Sequence, residues 1–367
     1  MTTTTKLEIT TLSPVTIGSG AEWSPYADYV IDKDKDLFYL LDRNKIIKKI
    51  AENDRWLEQY VNGVASGMNN NRSEFDLKIF LTDILRESID NMSVFRCHVL
   101  SDKVSRKLPV KALLRTPLYD AYIPGSTLKG AFKTVLMYKK IKNADIELVL
   151  QYCALSDQRE RDIEINGWLE KQEQKIEGQE LRSKIIQQVT DSTPIPKENS
   201  IIVDCWRNMP LRFDCIREKA TSQFELTLNK YTWQELAENI NSFSHDTLVR
   251  EFNLLEDDDK NKEYMDELEK ILDSCDKSPA NVAYMRIGFG KGYFANSIGD
   301  ALFAYIEDLE DAQTKQKMEN IFQKYLQRIF KKGNKIIQNF DMYKFPRTHL
   351  HTIKQQKPLG WIKIEKV

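Results

Sequence analysis

Three short stretches pair glycine or small residues with nearby cations, and each offers a seat for a phosphate. The first is Ile123-Pro124-Gly125-Ser126-Thr127-Leu128-Lys129-Gly130-Ala131-Phe132-Lys133. It reads as a strand end, a tight turn and a helix start. Ser126 or Thr127 can cap that helix, whose first N–H groups and dipole favour an anion. Lys129 and Lys133 stand four apart and share a face, and Gly130 leaves room for close approach; the plain alternative is a capped helix whose Gly130 packs on a strand. The spacing is not that of a Walker loop. The second stretch is Arg286-Ile287-Gly288-Phe289-Gly290-Lys291-Gly292. Its glycines can present backbone N–H groups, Arg286 and Lys291 add charge, and Phe289 can stack on a base. The spacing G-x-G-x-G does not fit a dinucleotide fold. The third is Thr16-Ile17-Gly18-Ser19-Gly20, which closes the first strand in the same way.

Acid–base chemistry has fewer supports. His98 lies within an apolar strand and reads as structural. His349 and His351 flank Leu350 beside Arg347 and Lys354, a setting for RNA contact rather than proton transfer. His245 precedes Asp246 at a helix start. Asp32, Asp34 and Asp36 alternate along a turn that also carries Lys33 and Lys35, which makes a solvated hairpin tip. Asp28 and Asp32 belong to no recognisable catalytic motif. Metal-free RNA cleavage needs a positioned base and acid, and none is identified here, so no nuclease centre is expected. No metal site and no cofactor is expected either, because the cysteines and histidines are dispersed.

The elements that must position these residues follow from pattern. Strands are expected at Lys6–Ser13, Tyr29–Asp32, Leu37–Leu41, Ser93–Leu100, Ser200–Cys205, Leu211–Ile216, Ser222–Leu228, Val282 into the glycine loop, and Leu359–Ile364. Asp42 caps a helix expected to run through Tyr60, and Asn62–Asn71 reads as a loop. Leu211–Ile216 and Ser222–Leu228 read as a hairpin. Further helices are expected near Ser126–Ile141, Glu160–Val189, Thr232–Ile240, Lys262–Leu272, Ile298–Leu309 and Lys315–Phe330. Pro194 and Pro196 mark a boundary between residues 1–195 and 196–367, each an α+β unit.

The chain has 367 residues, 54 Lys+Arg and 55 Asp+Glu. A uniformly basic coat is excluded, but charge is segregated. Residues 101–145 carry ten basic against three acidic side chains, residues 315–357 eleven against two, and residues 256–273 three against nine. Two basic stretches beside glycine turns favour a phosphate partner. The acidic stretch could instead dock a basic protein, as a pure scaffold would. Five scattered cysteines and no long apolar run point to a reducing, cytoplasmic setting without a membrane span.

In order and spacing, these motifs resemble the RAMP superfamily of CRISPR-associated RNA-binding proteins. The matching residues are Leu12–Gly20, Ile123–Gly130, Arg286–Gly292 and the closing Leu359-Gly360-Trp361-Ile362-Lys363-Ile364. The set is most similar to the subunits that cap the type III-A (Csm) effector complex. The resemblance implies an α+β fold of two ferredoxin-like (RNA-recognition-like) domains with inserted helices, residues 1–195 and 196–367, the second carrying the glycine-rich loop. It implies a non-catalytic crRNA-binding subunit on the 3′ side of the complex, needed for crRNA maturation and assembly. A metal-independent endoribonuclease is the alternative. The implied partners are crRNA, target RNA, the other Csm subunits (above all the adjacent backbone RAMP subunit) and recruited host nucleases. The implied RNA contacts are Gly18, Ser19, Gly20, Ser126, Thr127, Lys129, Gly130, Lys133, Arg286, Gly288, Phe289, Gly290, Lys291 and Gly292.

Overall fold

A computed structural model of the chain describes residues 2–69, 74–100, 107–142, 150, 185–206, 210–255, 262–292, 294–297, 299–329, 331–332, 335–336, 341, 351–352 and 356–367. The strands are β1 (Thr2–Thr11), β2 (Gly18–Trp23), β3 (Tyr29–Asp32), β4 (Leu37–Leu41), β5 (Ser93–Leu100), β6 (Val110–Leu113), β7 (Ile186–Val189), β8 (Ser200–Trp206), β9 (Pro210–Ile216), β10 (Thr221–Asn229), β11 (Val282–Arg286), β12 (Lys331–Lys332), β13 (Lys335–Ile336), β14 (His351–Thr352) and β15 (Trp361–Lys366). The helices are α1 (Arg43–Ile50), α2 (Asp54–Asn69), α3 (Leu77–Ile79), α4 (Ile89–Met92), α5 (Gly125–Lys142), α6 (Trp233–Leu255), α7 (Lys262–Asp276), α8 (Gly299–Glu307) and α9 (Ala312–Ile329).

One sheet has the order β11-β15-β1-β10-β7, with every neighbour antiparallel. Alternation makes it two-faced. Leu7 and Ile9 of β1, Phe224 and Leu226 of β10, and Ile362 and Ile364 of β15 turn inward. They meet Leu128, Phe132 and Val135 of α5, Leu236 and Ile240 of α6, and Phe303 and Phe322 of α8 and α9. The outer edge of β11 is closed by side chains of α6. Asn241 accepts from Tyr284 N (2.8 Å) and donates to the Val282 carbonyl (2.8 Å), and Ser244 donates to the Tyr284 carbonyl (2.7 Å). An open strand edge is thereby covered.

The second sheet has the order β2-β6-β9-β8-β5-β4-β3, with β14 pairing alongside β8. Its β5·β8 and β6·β9 pairs are parallel, so it is not uniformly antiparallel. It curls: the Tyr29 hydroxyl on edge strand β3 donates to the carbonyl of Leu108, just before β6, and accepts from Arg212 of β9 (3.4 Å). Burial pushes that phenol up to about 12. Arg212 forks onto Asp204 (2.7 and 3.0 Å) and Arg115 onto Asp214 (2.9 and 2.7 Å), so both buried cations are paired within the sheet.

The expected hairpin Tyr29–Asp32/Leu37–Leu41 forms. The expected hairpin of Leu211–Ile216 with Ser222–Leu228 does not, because β9 pairs with β8 and β10 with β1. The cause lies in residues 217–220. Thr11 of β1 captures them, accepting from Ala220 N and Lys219 N and donating to the carbonyls of Arg217 and Ala220. Ile186–Val189, expected to end a helix, is a strand; most of the remaining Glu160–Val189 stretch lies outside the described residues. Strands from both sides of residue 195 share each sheet.

The Asp42–Tyr60 helix is two helices, and α2 continues to Asn69 through the stretch expected to be a loop. Its glycines serve packing there. A Cβ on Gly63 would lie 2.2 Å from the Phe75 ring, and one on Gly67 would lie 2.3 Å from the Tyr26 ring. Both rings therefore fit only against a helix surface without side chains. Gly67→Val is expected to destabilise the fold by about 1–3 kcal/mol through overpacking against buried Tyr26. Thermal unfolding with no loss in midpoint would show that the ring gives way freely.

Candidate nucleic-acid interface

Strand directions decide where the three glycine stretches lie. Strands β7 and β11 each run two antiparallel steps from β1, so all three point the same way. Gly18–Gly20 follows β1, the 286–292 loop follows β11, and the start of α5 lies against the end of β7. The first bend and the 286–292 loop emerge at one end of that sheet, whereas the start of α5 lies against Val189, whose partner Leu226 faces Thr5, six residues short of the end of β1. At about 3.3 Å per residue and 4.8 Å per strand, that start is set back by about 20 Å along the strands and lies two strands, about 10 Å, to the side of β1.

The first and last bends touch. The Phe289 N–H donates to the Thr16 carbonyl (2.9 Å), and a Cβ on Gly288 would lie 2.3 Å from that same oxygen. Gly288 also has a φ of +71°, so a side chain there is excluded twice. Gly18 and Gly20 face open space, and residues 18–22 are exposed along the edge of the curled sheet. Ser19 Oγ donates to the Ala112 carbonyl (3.1 Å), fixing the bend against β6. Phe289 is 43% exposed and leans on Phe213 with ring centroids 5.0 Å apart. Lys291 is half-buried, and burial pulls its ammonium below the ordinary lysine range.

At α5 the face is built differently from the sequence expectation. The helix begins at Gly125, so Ser126 and Thr127 lie inside it rather than capping it. The cap is Asp191, whose Oδ1 accepts the Gly125 N–H at 2.8 Å. That carboxylate already occupies part of the anion seat. It lies 66 residues away in sequence, beyond any local signal. Gly125 is pressed on the Val189 carbonyl, where a Cβ would come within 2.3 Å. Ser126, Gly130 and Lys133 are exposed on one face, and nothing lies within 4 Å of a Cβ built on Gly130. The packing explanation for that glycine is thus removed. Lys129 Nζ donates to the Gln187 carbonyl (3.0 Å) at the sheet edge.

Arg286 requires a correction. Expected as an RNA contact, it is 5% exposed. Its Nε donates to the Leu359 carbonyl (2.8 Å), and its terminal nitrogens reach Glu251 (3.2 Å) and the Tyr264 hydroxyl (3.3 Å). Its fork is filled from inside the protein.

The sequence pattern defining the RAMP superfamily matches residues 8–295. The chain belongs to the RAMP superfamily. It is 26% identical over 241 residues to the CRISPR system Cms protein Csm5 of Streptococcus thermophilus, covering 61% of this chain and 64% of that relative, less than two thirds of its length. It is 23% identical over 392 residues to the protein of the same name from Methanocaldococcus jannaschii, covering 96% of this chain and 87% of that one. Among solved structures, a chain of the Csm–crRNA–target RNA ternary complex of a type III-A CRISPR-Cas system superposes with a TM-score of 0.63 at 20% identity, covering 98% and 100% of the two chains. The crystal structure of T. onnurineus Csm5 gives 0.62 at 17% identity, covering 97% and 99%.

The acid–base candidates of this RAMP chain have structural partners or lie on unrelated surfaces. Asp28 is buried and accepts from Ser24 N (2.7 Å) and Arg43 Nε (2.5 Å). Asp32 pairs with Lys78 (3.4 Å) and Lys35 (3.8 Å) at the hairpin. His98 points outward from β5. His245 lies near Asp246 and Asp276, and His351 packs against Tyr264; His349 lies outside the described residues. Among the described residues no group of three or more metal-ligating side chains converges, and no helix is long and apolar enough to cross a membrane.

Two measurements test this face. Gly130→Ala should stabilise α5 by about 0.5–1 kcal/mol, because alanine replaces glycine in open space within a helix. The same change should weaken RNA binding if the strand lies close to the helix there. Tighter or unchanged RNA binding would remove Gly130 from the interface. Lys291 offers a pH test. Its folded-state pKa is lowered, so the unfolded chain holds more protons and stability rises with pH as the folded lysine deprotonates first. If the ammonium meets RNA, affinity moves oppositely, falling with rising pH before ordinary lysines titrate. Lys291→Arg should flatten that fall, whereas an identical pH profile would place the ammonium away from RNA.

Proposed function

We propose that this RAMP chain is a crRNA-binding subunit of a type III-A (Csm) effector complex. In this reading it caps the 3′ side of the complex, supports crRNA maturation and assembly, and has no nuclease centre of its own. Its partners are crRNA, target RNA, the other Csm subunits with the adjacent backbone RAMP subunit foremost, and recruited host nucleases. The observation that carries the reading is the contact of two glycine bends at one end of one sheet, with Lys291 and Phe289 beside them and Lys129 and Lys133 further along the same sheet on α5. Likeness over nearly the whole length to a chain of a Csm–crRNA–target RNA complex supports the assembly.

Two features refine the mode of binding. The five-stranded sheet, taken as β1-α5-β7-β10-α6-β15 with the spatial order β15-β1-β10-β7, has the split β-α-β plan of a ferredoxin-like unit, with β11 added at its edge. The curled sheet is the second unit of the pair, organised by sheet rather than by sequence half. The open face of the first sheet carries Thr4, Lys6, Glu8, Gln223, Glu225, Thr227, Lys363 and Glu365. RNA-recognition sheets stack bases on aromatic rings; the rings on this face, Tyr284 and Trp361, are packed with Tyr264 and Leu268 of α7 instead of lying open. RNA therefore crosses the end of the sheet, held mainly by its phosphates.

The test is salt-dependent binding of unrelated single-stranded RNAs. Lys129→Ala plus Lys133→Ala should weaken all of them alike and reduce the slope of log K against log salt by about 0.7 per lost phosphate contact. Unchanged affinity and slope would remove α5 from the interface. Purification from the host should recover bound crRNA and the other complex subunits. RNA cleavage by the purified chain, with or without EDTA, would favour the endoribonuclease alternative.

A further inference from the structure

The carboxyl-terminal residues Leu359-Gly360-Trp361 lie between the first glycine bend and the glycine loop. On one side Gly360 N donates to the Pro14 carbonyl (2.9 Å), Leu12 N donates to the Trp361 carbonyl (2.8 Å), and Trp361 N donates to Ser13 Oγ (2.9 Å). On the other, Ile287 N donates to the Gly360 carbonyl (2.8 Å). The Phe289 N–H then returns to Thr16 and closes the circuit. Gly360 has a φ of +86°, and a Cβ there would lie 2.2 Å from the Ile287 carbonyl oxygen. Only glycine lets the three segments come this close.

Arg286 fastens the circuit from behind. Its guanidinium joins the Leu359 carbonyl, Glu251 of α6 and the Tyr264 hydroxyl of α7, and Tyr264 in turn donates to Glu251 (2.6 Å). The guanidinium also lies 6.0 Å from the Trp361 ring centre. Two helices remote from the bends thereby fix the residue at the base of the loop and the segment against which the loop rests.

We infer that Arg286 is a positioning residue for RNA binding: with Glu251 and Tyr264 it clamps Leu359–Trp361 between the two glycine bends, and the loop's hold on RNA depends on that clamp. The inference rests on the RNA-binding reading above. It assigns the one arginine of the glycine-loop motif to the interior rather than to the RNA. It also makes Glu251, an acidic residue, a supporter of polyanion binding.

The opposed signs provide the test. The full chain is assayed with labelled single-stranded RNA over a salt series, well below each variant's unfolding temperature. Glu251→Gln removes a negative charge, so a purely electrostatic effect would tighten RNA binding. The clamp requires the opposite, a loss of tenfold or more, with faster hydrogen exchange confined to residues 287–292. In a Lys291→Ala background, where the loop has no cation of its own to lose, Arg286→Met should lower affinity comparably while leaving the salt slope of that background unchanged. A slope reduced by about 0.7 would instead make Arg286 an RNA contact and overturn the inference. If Arg286→Met does not fold, Glu251→Gln decides alone. Folded Glu251→Gln with wild-type or tighter binding would overturn the clamp while leaving the RNA reading intact. Failure of the unaltered protein and its host-purified complex to bind RNA would overturn the RNA reading itself and the clamp with it.

Discussion

The pairing of the first strand with the last is the constraint on which the arrangement depends. Strand β1 sits in the middle of its sheet, with β10 on one side and β15 on the other. Residues 7–11 are matched with residues 362–366, from the opposite end of the chain. That register brings Leu12–Thr16 beside Leu359–Trp361. It also places the glycine loop on the first bend, since β11 pairs with β15 in turn. Ordering so long an intervening chain costs conformational entropy. The inward face, with Leu7, Ile9, Ile362 and Ile364 all buried, is the main compensating force, because burial of apolar area is the dominant favourable term in folding.

Charge is divided between interior and surface by the same scaffold. Arg115 falls in the basic stretch 101–145 and Arg286 in the glycine-loop motif, and Arg212 of β9 is a third cation of the scaffold. All three are buried against Asp214, Asp204 and Glu251. Buried ions of this kind are held by paired geometry, and removing one partner leaves the other uncompensated. Among the described residues of the three motifs, the cations left at the surface are lysines: exposed Lys133, half-buried Lys129 and the partly desolvated Lys291. Lysine on a flexible stem follows a backbone without fixing its register as a guanidinium fork would.

Much of this was legible in the sequence, and the failures have physical reasons. Alternation located β3, β4, β5, β9 and β10 within a residue or two, because period two records which face is buried. Pairing partners were harder to read. Ser222–Leu228 looked like the second arm of a hairpin, and only the capture of residues 217–220 by Thr11 sends it to the other sheet. Glycine was ambiguous in both directions. In α2 it signalled a loop and instead marked two aromatic contacts, while at Gly130 it permitted a packing explanation that open space rules out. The motif around Gly288 was visible as a motif, but its arginine was assigned to the wrong side of the loop. Nothing near Arg286 in sequence announces Glu251, Tyr264 or Leu359. Asp191 at the start of α5 was unreadable for the same reason.

The distribution of aromatic rings bears on specificity. Base-reading sheets expose rings at alternate positions of their central strands, whereas β1 and β10 expose threonine, lysine, glutamate and glutamine outward. Among the described residues Phe289 is the exposed ring at the bends, and it rests on Phe213 of the other sheet. One stacking position tolerates any base, since every base has a π-face. The other described groups at the bends include backbone amides and the Lys291 ammonium, which suit phosphate and sugar. In the proposed RNA-binding role, such a surface would distinguish a strand by its path across the end of the sheet rather than by its letters. That property fits the proposed role of a subunit that accepts guides of differing sequence.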